Sequence, residues 1–163
     1  MTRMLRSETG LTLTEVFVVM IIGTMIMAGL VGFYLASQGL WLDASTQAIT
    51  QREASLVASA IRDSVRSCHS AQASAVPDAT HQQLALYRKL GDPSPCYYFW
   101  WDAGDSLVHA GATIGGPGSG AIVDSHAERF QLVSTPTGVR MDLRLRTATG
   151  STVDVGTFAV FMN

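Results

Sequence analysis

The hydrophobic positions divide this chain into three stretches with different periods. From Val16 to Leu42 there is an uncharged run of 27 residues. From Asp43 to about Cys68 apolar residues recur at helical spacing, and beyond Pro77 they alternate with polar ones. As a helix the first run would be about 40 Å long, against about 30 Å of bilayer hydrocarbon, so it predicts a membrane span. No proline or glycine interrupts residues 43–68, where Ile49, Leu56, Val57, Ala60, Ile61 and Val65 are compatible with one helical face. Arg52, Glu53, Ser59, Arg62, Asp63 and Arg66 fall mainly elsewhere on the wheel. The two stretches together predict one long helix from about Leu13 to His69, apolar all round in its first half and amphipathic in its second.

The small-residue text from Ser70 to Asp78, closed by Pro77, reads as the helix exit. Strands are then predicted at 83–89, 97–102, 106–110, 129–134, 139–147 and 153–161, separated by turn-rich segments. Short successive strands with tight connections predict an antiparallel sheet, and the amphipathic half of the helix is its natural cover. The fold class is therefore α+β. The clearest alternation is Val139-Arg140-Met141-Asp142-Leu143-Arg144-Leu145-Arg146, which puts Arg140, Arg144 and Arg146 on one face. That stripe reads as a solvated strand face. A nucleic-acid partner is compatible with it but not indicated, because Asp142 interrupts it and no aromatic is interleaved for stacking.

Charge adds orientation rather than a ligand. The 163 residues carry a formal charge of −2, which announces no polyanionic partner. Arg3 and Arg6 precede the apolar run and Asp43 follows it, so the positive-inside bias puts the N-terminus in the cytoplasm and the body outside. The run exceeds the roughly 7–15 apolar residues of a secretory signal peptide, which argues for a retained anchor. Cys68 and Cys96 both fall in the exported part, where an isolated even pair is expected to form a disulfide. Four scattered histidines suggest no metal site, and none of the spacings needed for a nucleophile elbow, a metalloprotease or a P-loop occurs. No enzyme activity and no cofactor are expected.

Glu15 stands apart as the single charge at the start of the apolar run. An acid in a membrane helix costs roughly 2.5–3.5 kcal/mol at mid-span and less near an end, so its presence points to function. Gly29 and Gly32 lie further along, where small residues let helices approach closely or weaken the backbone.

Gly10 followed by Leu11-Thr12-Leu13-Thr14-Glu15 and a long apolar helix resembles the class III leader and N-terminus of type IV pilins and type II secretion pseudopilins. The resemblance implies that a prepilin peptidase cuts between Gly10 and Leu11 and methylates the new N-terminus at Leu11. It implies that Glu15 is the acid that directs assembly. Gln51-Arg52-Glu53 and Arg62-Asp63-Ser64-Val65-Arg66, followed by a β-rich tail, look like minor pilins of the J or W type. Gly32 stands near where major pilins often have proline, and Leu11 replaces the more usual phenylalanine, which suits a minor or divergent subunit. The implied organisation is a leader over 1–10, a transmembrane and assembly helix over 11–42, an amphipathic continuation over 43–76 and an extracytoplasmic β-rich head over 77–163. The implied partners are other pilin or pseudopilin subunits, the prepilin peptidase, an inner-membrane assembly platform and membrane lipid. The implied location is the inner membrane and then the filament. The alternative is a permanently anchored extracytoplasmic binding module for DNA uptake or adhesion.

Overall fold

The computed structural model describes residues 12–74, 78 and 80–161. One helix, α1, spans Leu13–Arg66. Thr12 precedes it, and its carbonyl accepts the N–H groups of Glu15 at 3.0 Å and Val16 at 3.2 Å, closing the first turn. Arg66 lies in the last turn, where a cation suits the exposed carbonyl end of the helix. By internal contacts the chain forms two compact units, Met1–Leu42 and Asp43–Asn163.

In the first unit the large apolar side chains of α1, from Leu13 to Leu42, are exposed on every side. The helix contains a window of 18 residues with mean hydropathy 2.5, none of it buried by the chain, and is long and apolar enough to cross a membrane. α1 is helical through Gly29 and Gly32, and a Cβ at either would meet nothing within 4 Å. No contact among the described residues requires glycine there.

The second unit is α+β. Strands β1 (Ser70–Ser74), β2 (Gln83–Tyr87), β3 (Tyr97–Trp101), β4 (Val108–Gly111) and β5 (Gly120–Ala121) form one antiparallel sheet in sequence order. Strands β6 (His126–Thr135), β7 (Gly138–Arg146) and β8 (Thr152–Val160) form a second. The expected single sheet is thus two, joined along β6. The Phe130 N–H donates to Thr80 O at 2.9 Å and its carbonyl accepts from Gln82 N–H at 2.8 Å, while Ala127 N–H donates to Ser106 O at 2.8 Å. A bulge between Ala127 and Arg129 shifts the β6 register at this seam.

The core forms where α1 lies on the inner faces of the sheets. Thr50, Ala54, Val57, Ala58, Ile61 and Val65 make its buried stripe, at the three- and four-residue spacing of one helix face. They meet Leu84, Leu86, Phe99, Phe130 and the inward side of β7: Val139, Met141, Leu143 and Leu145. Two residues expected in the stripe are corrected. Ile49 and Leu56 are 59% and 51% exposed, each one position before a residue that is buried. The helix also ends earlier than expected: residues 70–74 are a strand, not the tail of an amphipathic helix reaching 76, because they pair with β2 from Ser70↔Tyr87 to Ser74↔Gln83.

Candidate functional site

Gly10 and Leu11 lie outside the described residues. Glu15 lies in the first turn of α1, exposed, and among the described residues no cation stands within ion-pair distance of it. An acid in a first helical turn gains from the helix dipole, typically 0.3–1 kcal/mol. An acid deep in a bilayer costs roughly 2.5–3.5 kcal/mol, and less near a helix end such as the one where Glu15 stands.

On the head half, polar contacts fix α1 to the sheets. The Thr149 hydroxyl donates to Asp43 Oδ1 at 2.7 Å, Ser125 N–H donates to Glu53 Oε2 at 3.0 Å, and the Thr50 and Ser125 hydroxyls are 3.2 Å apart. Arg62 Nη2 donates to Thr157 Oγ1 at 3.1 Å. Glu53 and Arg62, singled out in the sequence, therefore hold the helix to the head. Thr50, 2% exposed, was not legible as a core position because its burial depends on a partner 75 residues away.

The Cys68 and Cys96 sulfurs lie 3.7 Å apart as free thiols. Burial, then the hydrogen bond with Cys96, pushes the Cys68 thiol up to about 11. A disulfide here would close a loop of about 29 residues and contribute on the order of 3.5 kcal/mol in the chain-entropy model. Protein taken from an oxidising compartment is expected to be lighter by two hydrogens by intact mass, and reduction is expected to lower its melting temperature by on the order of 10 °C. Two free thiols in such material, or no change on reduction, would contradict the pairing.

The arginine stripe is largely neutralised. Arg144 forms a bidentate pair with Asp154 at 2.6 and 2.9 Å, Arg140 faces Asp142 at 3.4 Å, and Arg146 faces Glu128 at 3.8 Å. Each arginine of the stripe thus has a carboxylate beside it, which leaves little unbalanced positive field for phosphates.

Two arrangements went unread in the sequence. His81 stacks on Trp101 with ring centroids 3.9 Å apart and lies 3.1 Å from the Asp78 carboxylate. His109 stacks on Trp100 at 5.5 Å and lies 2.8 Å from Asp105. Consecutive tryptophans of β3 point to opposite faces, so the strand is flanked by a histidine on each side. Hydrogen bonds from the His81 side chain and from the His81 and Thr80 N–H groups hold the Asp78 carboxyl down at about 2, from the usual 3.8.

A depressed folded-state value means that the carboxylate stabilises the fold above the unfolded value near 3.8 and loses that effect as pH falls through about 2. Asp78→Asn is therefore expected to lower the melting temperature at pH 5 and to converge on the parent protein near pH 2. An equal gap across that range in thermal unfolding would contradict it.

An open cleft of about 670 Å³ is lined by Ser106, Asp124, His126, Glu128, Arg146 and Thr147. These side chains show no nucleophile–base pair, and among the described residues no group of three or more His, Cys, Asp or Glu could hold a metal.

Comparison with protein-family models, curated proteins and solved structures gives no match for this chain.

Proposed function

We propose that the chain is a minor pilin or pseudopilin. In this reading it is a structural subunit of a type IV pilus-like filament or type II secretion pseudopilus, closest to the J or W type. The observation that carries the reading is α1: a single helix opens with an acid that has no ion-pair partner among the described residues, continues through an uncovered apolar segment, and ends as the amphipathic cover of an antiparallel head. A passive anchor needs none of the first feature.

A prepilin peptidase removes residues 1–10 and methylates Leu11. The freed α-amino group of one subunit then lies where Glu15 of its neighbour can pair with it. Inside a bundle of apolar helices that attraction is stronger than in water, and because an unpaired charge there is costly, the pair selects register. The protein waits in the inner membrane with its head outside until an assembly platform, driven by a separate cytoplasmic ATPase, extracts it. It has no catalytic role. The anchored DNA-binding alternative draws less support, since ion pairs occupy the arginines it would use.

Gly10→Asp is expected to block leader removal, leaving the precursor on a denaturing gel of cells that contain the peptidase. A product of mature size would contradict the reading.

A further inference from the structure

The free edge of β8 carries chemistry that the assembly helix does not use. Its ladder with β7 is bracketed by two hydrogen bonds, Phe161 N–H to Thr137 O at 3.1 Å and Thr147 N–H to Ser151 O at 2.8 Å. Both join odd-numbered residues in the register that pairs Gly138 with Val160 and Arg146 with Thr152. Bonded and non-bonded pairs alternate in an antiparallel ladder, so Val153, Val155, Thr157 and Ala159 direct their N–H and C=O groups to β7. Thr152, Asp154, Gly156, Phe158 and Val160 direct theirs away from it, where β8 ends the sheet order and has no strand beside it among the described residues.

Other edges are short or occupied. β5 has two residues, β6 is bonded to the segment at 80–82, and β1 lies against β6, with Ala73 N–H 3.5 Å from Ser134 Oγ. Solvent-facing edges are usually blunted by lysine, proline or a bulge. β8 has none of these along its nine residues, and its one charge, Asp154, is already held by Arg144. Its apolar residues are also left incomplete. β7 buries Val139, Met141, Leu143 and Leu145, whereas the inward Val153 and Val155 of β8 are only partly covered, and the outward Phe158 and Val160 are half exposed.

We propose that the β8 edge is a strand-docking site that takes an extended segment of a different polypeptide chain. A row of alternating donors and acceptors with a repeat of about 7 Å is matched by another strand backbone and not by a phosphate, sugar or lipid headgroup. A second copy fits poorly. Antiparallel pairing of β8 with β8 places a two-fold axis normal to the sheet, which reverses any helix lying along it. The Asp43 ends of the two helices would then point in opposite directions, although both chains enter one membrane; this step rests on the reading of residues 13–42 as a membrane helix. Pairing copies head to tail needs a second long free edge, which the described residues lack.

The docked segment is neutral and has apolar residues at alternate positions facing Val153 and Val155. Opposite Gly156 it carries a large residue with a polar tip, because clefts of about 340 and 550 Å³ meet at that glycine beside Arg140 and Asp142.

The test places a photo-crosslinking amino acid at Thr152 or Phe158 of the full-length chain in its native cells, with exposed Ala103 as the control position. Both β8 sites are expected to give an adduct with the same foreign polypeptide, the attachment points being about six residues apart on one segment of it, as 152 and 158 are here; Ala103 is expected to give none. Phe158→Pro removes an outward N–H and no bond to β7. It is expected to reduce the Thr152 adduct at least tenfold, while Phe158→Val, which keeps the N–H, retains it. The melting temperature of the Phe158→Pro chain checks that the head remains folded, and unchanged leader removal separates the result from failure of the filament reading. An adduct with a second copy, one insensitive to proline in a folded head, or no adduct would overturn the proposal.

Discussion

Glu15→Leu is expected to enter the membrane as the parent chain does and to fall out of filaments by about a hundredfold or more. Leucine removes the insertion cost of the acid, so anchoring is expected to be unchanged or improved. Assembly responds in the opposite direction. If the neighbour's α-amino group is buried against Glu15, deleting the carboxylate leaves that cation unpaired, and breaking a buried pair costs about 3–5 kcal/mol. The measurement is the ratio of tagged chain in sheared filaments to chain in membranes. Glu15→Gln keeps polarity without charge and should be nearly as defective if charge pairing is the cause. Normal incorporation of the leucine variant would show that Glu15 has no part in assembly.

The second large effect concerns the head. Phe130→Ala is expected to destabilise it by about 3–5 kcal/mol, the usual range for removing a fully buried aromatic side chain. Phe130 is 0% exposed, and its backbone bonds to Thr80 and Gln82 at the seam between the two sheets. Side-chain loss there leaves a cavity at the seam, where relaxation would have to move both sheets. For a head of about 120 residues this corresponds to a fall in melting temperature on the order of 10–20 °C. Leu90→Ala is the control, since Leu90 is 86% exposed on the hairpin tip and its truncation should change little. A loss below about 1 kcal/mol for Phe130→Ala would mean that the seam collapses freely.

These two residues differ in how visible they were in the sequence. Glu15 was legible because a lone charge beside a long apolar run needs no tertiary information to stand out. The alternation from Val139 to Arg146 likewise specified β7 and its two faces, since a period of two has one structural solution when one face is buried. Ser70–Ser74 was not legible. Its serine, alanine and glutamine have weak strand preference, and pairing with β2 imposes the conformation.

The face of α1 was misjudged by one position at Ile49 and Leu56, because local hydrophobicity ranks isoleucine above Thr50. The hydroxyl of Thr50 has a partner in Ser125, which only the folded chain reveals. The division into two sheets was hidden for a related reason. Alternation along β6 states that it is a strand, but not that its register shifts beside Glu128 or that its edge bonds to residues 80 and 82.

At the candidate site, parity and compartment suggested a Cys68–Cys96 pair, and the two sulfurs lie 3.7 Å apart. The paired stacks of His81 on Trp101 and His109 on Trp100 assemble from separate elements and left no spacing to read.

In the filament reading, the acid at the mouth of the apolar helix lacks its counter-charge until a processed neighbour brings an α-amino group to it. Mass spectrometry of the N-terminal peptide of the native protein, from cells with an active prepilin peptidase, tests this most directly. A chain beginning at N-methylated Leu11 is expected. A chain that retains Met1 to Gly10 would contradict it.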